Sequence, residues 1–239
     1  MFGALFSTIL ACLACSKQQD NTSTSPMPTP ADTIPAVTTG TTFKYLALGD
    51  SYTIGQSVAM EARFPEQTVK LLKLQKINIT PIDYIATTGW TTGNLMAAIT
   101  SQNPLQDYDI VTLLIGVNDQ YQHMDTGGYR TRFTQLLSKS IVLAGNQPSR
   151  VVVLSIPDYS ATPYVSSDDK QRVSREIDVF NTINKQITLA NNIAYLDITP
   201  STRQAATDNT LVANDGLHPS DMEYKKWADL LAPMIQKAL

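Results

Sequence analysis

The chain has 239 residues, 43% hydrophobic and 16% charged, and its 18 basic and 21 acidic side chains leave a formal net charge of −3. That is a globular composition, long enough for one large domain and a further segment. With no cluster of Lys and Arg, it lacks the concentrated positive charge that nucleic-acid phosphates require. Both cysteines, Cys12 and Cys15, stand at the very start, which excludes disulfides and thiolate metal sites from everything downstream.

Taken in chain order, Phe2 to Ala14 is apolar apart from Ser7 and Thr8. This is the length of a signal-peptide core and too short for the roughly 20 residues that cross a bilayer. The Cys-x-x-Cys spacing of Cys12 and Cys15 belongs to redox or zinc sites when a strand and a helix flank it, whereas here it lies in an apolar run. Leu13-Ala14-Cys15, followed by the polar Ser16-Lys17-Gln18-Gln19-Asp20, resembles a bacterial lipobox. The resemblance implies a signal peptide over 1–15 and lipidation at Cys15, with Cys12 as the competing site. No Lys or Arg precedes Lys17, a departure from the usual basic start. Residues 16–42 are mostly Ser, Thr, Pro, Asn, Gln and Ala, with Lys17, Asp20 and Asp32 as their charges, too little apolar area to offset the entropy of ordering. They are expected to be a disordered tether between a membrane and a domain over 43–239.

Within 43–239, short apolar runs alternate with longer segments of helical period. The runs are 45–48, 82–85, 110–115, 151–156 and 193–196. Continuous apolar runs suit central strands covered on both faces, and the intervening lengths suit crossover helices. The expected fold class is therefore α/β, a three-layer α/β/α sandwich on a five-stranded parallel sheet. In the last segment Ser220 and Glu223 have capping-box spacing, followed by Tyr224, Trp227, Leu230, Leu231 and Met234 as the stripe of a closing helix. In such folds ligands sit at the carboxyl ends of the strands.

Candidate chemistry lies at those ends. Gly49-Asp50-Ser51 follows the first run, and a serine becomes a nucleophile only when a base takes its proton. Asp215-Gly216-Leu217-His218 supplies a histidine with a carboxylate three residues upstream, the pairing that fixes an imidazole tautomer. Ser51, Asp215 and His218 can thus form a triad. Thr88-Gly89-Trp90 follows the second run and Gly116-Val117-Asn118-Asp119 the third. The Ser51 N–H, the Gly89 N–H and the Asn118 amide suit an oxyanion hole. Read singly, each is an ordinary turn. His123, the other histidine, has no carboxylate beside it and is expected to be a solvated loop residue, while Asp119 is expected to brace the Asn118 turn. Tyr52, Trp90, Tyr121 and Tyr159 are candidates for either a substrate surface or core packing, and Pro157 reads as a strand terminator.

Together these blocks resemble the SGNH or GDSL serine hydrolases, which include esterases, lysophospholipases, thioesterases and carbohydrate acetylesterases. Gly49-Asp50-Ser51, Gly89, Gly116-x-Asn118-Asp119 and Asp215-x-x-His218 carry the resemblance, which spans about 43–239. It implies the flavodoxin-like hydrolase fold, Ser51 as nucleophile, His218 as base and then acid, and Asp215 as its orienting partner. Ser51, Gly89 and Asn118 become the oxyanion hole, and neither cofactor nor metal is needed. The expected function is hydrolysis of a carboxylic ester of a short or medium acyl group on a carbohydrate, cell-envelope or lipid substrate, with activity rising as His218 loses its proton. Nucleic acid is not an expected partner, and membrane contact is expected only through the lipid anchor of an exported cell-envelope lipoprotein. An acyltransferase would use the same triad, and a glycan-binding lipoprotein the same scaffold without catalysis. A glycosidase would need a flanking carboxylate pair that nothing singles out.

Overall fold

A computed structural model describes residues 41–239. The proposed leader 1–15, with Cys12 and Cys15, and the proposed tether up to residue 40 lie outside the described residues. The strands are β1 (Thr42–Gly49), β2 (Asn78–Ala86), β3 (Ile110–Leu114), β4 (Val151–Leu154) and β5 (Ala194–Leu196). They form one sheet in the order β2-β1-β3-β4-β5, every pairing parallel. The helices are α1 (Ser51–Ile54), α2 (Phe64–Leu74), α3 (Thr92–Gln102), α4 (Val117–Tyr121), α5 (Thr126–Leu143), α6 (Ser167–Ala190), α7 (Thr199–Thr202) and α8 (Asp221–Ala238). Among the described residues no helix is long and apolar enough to cross a membrane.

The sandwich follows from the apolar pattern. β3 and β4 are buried at every residue, so helices must cover both faces. α2 packs on α8, while α3, α5 and α6 pack in series. Phe64 of α2 meets Tyr224 and Trp227 of α8, with the Phe64 and Trp227 ring centroids 5.9 Å apart; burying each such ring stabilises the fold by about 1.5–3 kcal/mol. Because β1 connects outward to β2 on one side and the chain then returns to β3 on the other, the sheet switches direction between β1 and β3. A crevice opens at their carboxyl ends.

Several boundaries differ from the expected ones, each for a physical reason. β1 starts at Thr42, which pairs with Asn78, so the tether assignment overran by one residue. β2 starts at Asn78, well before the expected 82 and with Pro81 inside it. It is an edge strand, where a missing N–H costs no ladder bond, and the register slips between Phe43 and Tyr45 to absorb the extra residue. Ser220 does cap α8, its side chain accepting from the Glu223 N–H at 3.4 Å. Glu223 does not return the bond that completes a capping box, because its buried carboxylate accepts from Trp227 Nε1 at 2.8 Å. Leu230, placed on the apolar stripe, is instead 49% exposed; the buried face runs through Tyr224, Trp227, Ala228 and Leu231.

Candidate active site

The Ser51 side of the site is built by β1 running straight into α1. Asp50 caps that helix, its Oδ1 accepting from the Tyr52 N–H at 3.0 Å. The N–H groups of Thr53 and Ile54 bond the Asp50 carbonyl. The Ser51 N–H, first of the helix, has no acceptor in the intrahelical ladder. Asp50 is completely buried and its other oxygen is unpaired among the described residues. Burial pushes its pKa up to about 8, against the lowering effect of the Tyr52 N–H and with the added repulsion of Asp119, so its neutral form is favoured at neutral pH.

His218 comes from the turn before α8. Its Nε2 lies 2.9 Å from Ser51 Oγ and its Nδ1 2.6 Å from Asp215 Oδ2. A proton on Nδ1, donated to the carboxylate, leaves Nε2 free to accept from the serine hydroxyl. Asp215 Oδ1 accepts from the backbone N–H groups of Leu217 and His218, and Oδ2 also accepts from Ser57 Oγ at 2.6 Å. Burial raises the Asp215 pKa, but the bonds from Ser57, His218 and the two N–H groups outweigh it and hold the carboxyl well below the ordinary carboxylate range. The Tyr52 ring tilts against the imidazole, centroids 5.1 Å apart.

The third wall is the β3 end. Gly116 has φ +131°, and a Cβ there would meet Tyr129 Oη at 2.7 Å, so glycine alone lets the chain turn from β3 into α4. On α4, Asn118 Nδ2 donates to the Trp90 carbonyl at 3.0 Å, which fixes the amide's orientation with its second N–H to spare. Asp119 braces this turn as expected: fully buried, it accepts from the Thr92 N–H at 2.8 Å and from Arg132 at 3.1 Å, tying α4 to the start of α3. Gly89 sits at φ +81° with open space where a Cβ would project.

These elements enclose a cleft of about 120 Å³ that brings together Ser51, Gly89, Asn118 and His218 under the rings of Tyr121, Tyr159 and Tyr164. Asp215 stands behind His218. Of the aromatic candidates, Tyr52, Tyr121 and Tyr159 line the cleft, whereas Trp90 packs against the core and contributes its carbonyl. His123 is exposed at φ +54°. β4 ends at Leu154, short of Pro157, which lines a small interior space beside Tyr159 instead. Two contributors escaped the sequence reading. Tyr164 belongs to no strand-end motif, and Ser57 reaches Asp215 across 158 positions. Among the described residues no His, Cys, Asp and Glu are grouped to hold a metal ion.

The model of the GDSL-like lipase/acylhydrolase family matches residues 47–226, and the chain belongs to that family. No curated protein gave a match. Among solved structures the chain resembles the psychrotrophic esterase EstA from Pseudoalteromonas sp., one structure of which is inhibited by monoethylphosphonate, with 19% identity over 82% of this chain and 97% of that one and a TM-score of 0.59. It resembles TesA with 15% identity over 82% and 99% of the two chains and a TM-score of 0.65. It also resembles Axe2, an acetylxylan esterase from Geobacillus stearothermophilus, with 19% identity over 81% and 94% and a TM-score of 0.60. At these identities the likeness establishes a shared fold, the α/β sandwich on a five-stranded parallel sheet.

Proposed function

We propose that this carboxylic ester hydrolase works through an acyl-serine intermediate, with Ser51 as nucleophile, His218 as proton carrier and Asp215 as the group that orients it. The observation that carries this reading is the continuous hydrogen-bonded line from Ser51 Oγ to His218 Nε2 at 2.9 Å and from His218 Nδ1 to Asp215 Oδ2 at 2.6 Å. As Ser51 Oγ attacks the ester carbon, its proton passes to Nε2, and Asp215 stabilises the imidazolium. The carbonyl oxygen becomes an oxyanion, received by the Ser51 and Gly89 N–H groups and the Asn118 amide, each donor worth about 2.7–4 kcal/mol of barrier. His218 then gives the proton to the departing alcohol, and the same nitrogen activates the water that releases the acid.

A cleft of about 120 Å³ is smaller than the roughly 300–1,000 Å³ of pockets that bury drug-sized ligands, which favours a short acyl group. On the sequence pattern at Cys15 the enzyme is a lipid-anchored protein of a bacterial envelope, a reading that mass spectrometry of the mature N-terminus tests. Hydrolysis of p-nitrophenyl esters from acetate to decanoate tests the reaction. Turnover should be greatest on the shortest chains and fall on the order of 10⁶-fold in kcat in Ser51→Ala. Activity surviving that substitution would remove Ser51 from the reaction.

A further inference from the structure

Beyond the cleft the surface continues into a second depression of about 330 Å³, lined by the same Tyr121, Tyr159 and Tyr164 on one side and by His123, Asp169 and Arg172 on the other. The two spaces share the tyrosine wall, so an ester whose carbonyl sits at Ser51 has one arm in the small cleft and the other free to pass along the tyrosines. Tyr121 and Tyr164 are each 51% exposed and joined hydroxyl to hydroxyl at 3.1 Å. The rings of Tyr121 and Tyr159 meet edge to face at 6.2 Å. Tyr164 is held in register with the catalytic turn, its N–H donating to the Gly216 carbonyl at 3.1 Å.

The far side of this groove is polar and pre-arranged. Tyr159 Oη donates to Gln120 Oε1 at 2.8 Å, Gln120 Nε2 donates to Glu176 at 2.7 Å, and Arg172 bridges Glu176 at 3.1 Å and Asp169 at 2.8 Å. One buried glutamine thus ties the cleft wall to a row of charged groups on the first turns of α6. A hydrocarbon chain laid here would strip water from the Asp169 and Arg172 charges and offer them no hydrogen bond in return. An anionic arm would face the Asp169 carboxylate, beside a guanidinium that Asp169 and Glu176 already share. A neutral polyhydroxyl arm matches both sides, its C–H face against exposed rings and its hydroxyls to a carboxylate and a guanidinium.

Resting on the esterase reading above, we infer that this groove is the leaving-group subsite and that it binds a saccharide. The substrate is then a short-chain ester, such as an acetate, of a neutral oligosaccharide, and Tyr164, Asp169 and Arg172 determine specificity on the alcohol side. Hydrolysis breaks the acyl–oxygen bond, water supplies the hydroxyl of the released acid, and the sugar leaves with the proton delivered by His218.

Steady-state kinetics of the full chain on p-nitrophenyl acetate, glucose pentaacetate and partially acetylated xylo-oligosaccharides tests this, with Tyr164→Ala and with the double change Asp169→Ala and Arg172→Ala. The expected result is that kcat/KM for the acetylated oligosaccharide, divided by that for p-nitrophenyl acetate, falls at least tenfold in both variants, mostly through KM. A ratio unchanged in both variants would overturn the inference, as would a wild-type chain that hydrolyses p-nitrophenyl acetate but neither sugar ester. A larger loss on p-nitrophenyl decanoate than on the sugar esters would place an acyl chain in the groove and overturn it equally. Failure on every ester, p-nitrophenyl acetate included, would instead strike the esterase reading itself. Where thermal unfolding shows a variant to be unfolded, Tyr164→Phe, which keeps the ring and removes the hydroxyl bridge to Tyr121, should hold the ratio within a few-fold and Asp169→Asn should still lower it.

Discussion

Ser51 and His218 approach each other from two differently built regions, and each region contains an aspartate. Asp50, beside the serine, lies at the junction of β1 and α1 in the sheet's interior, fully buried with one oxygen unpaired among the described residues. Asp215, behind the histidine, lies in a partly exposed turn and receives four hydrogen bonds. Burial acts on both carboxyls in the same direction. It prevails at Asp50, raising the pKa to about 8, and is overcome at Asp215, whose bonds favour the charge. The same side chain is thus a neutral capping acid on one side of the site and an anionic anchor on the other, a division set by hydrogen-bond supply.

Neutralising the anion should have the largest effect. Asp215→Asn keeps the shape but favours the wrong imidazole tautomer, and kcat should fall on the order of 10⁴-fold, less than the loss in Ser51→Ala. A loss equal to that of Ser51→Ala, accompanied by a lowered melting temperature, would mean that the turn itself collapses. Next, Asn118→Ala should lower kcat by roughly 10²–10³-fold with KM little changed, since the amide's spare N–H is needed only once the oxyanion forms.

The smallest effects read the two carboxyls through pH. Asp50 binds its proton more tightly folded than unfolded, so its contribution to stability is complete below its ordinary value of 3.8 and is lost as pH rises toward about 8. Asn at position 50 retains an oxygen to accept from the Tyr52 N–H and has no proton to lose. In urea titrations, the stability of Asp50→Asn relative to the parent chain should therefore increase as pH rises from 4 to 8. Asp215 works in the opposite sense. Its contribution is present above the ordinary carboxylate range and is lost as pH falls below it, so Asp215→Asn should lessen the loss of stability on acidification.

What could be read in the chain beforehand divides along the same line. The sheet and the motifs at its carboxyl edge were legible because each is local. β3 is apolar but for the buried Thr112, and Gly49-Asp50-Ser51, Gly116-x-Asn118-Asp119 and Asp215-x-x-His218 each lie within a few residues of a strand end or helix start. The start of β2 at Asn78, ahead of Pro81, fell outside the expected run 82–85 because edge position is a property of the assembled sheet, which local sequence does not display. Leu230 fits the apolar stripe of α8 by spacing, yet the surface it would cover is not there. Ser57 and Tyr164 could not be found at all. Each acquires its place through contacts with the Asp215–His218 turn, and neither stands in a pattern of its own.

The most direct measurement is to treat the full chain with an alkyl fluorophosphonate and locate the adduct by mass spectrometry of its peptides. One phosphonyl group on Ser51 is the expected result, formed at least a hundredfold more slowly in His218→Ala, with ester hydrolysis lost in proportion to labelling. Labelling on another residue, or undiminished hydrolysis after Ser51 is fully labelled, would contradict the reaction described.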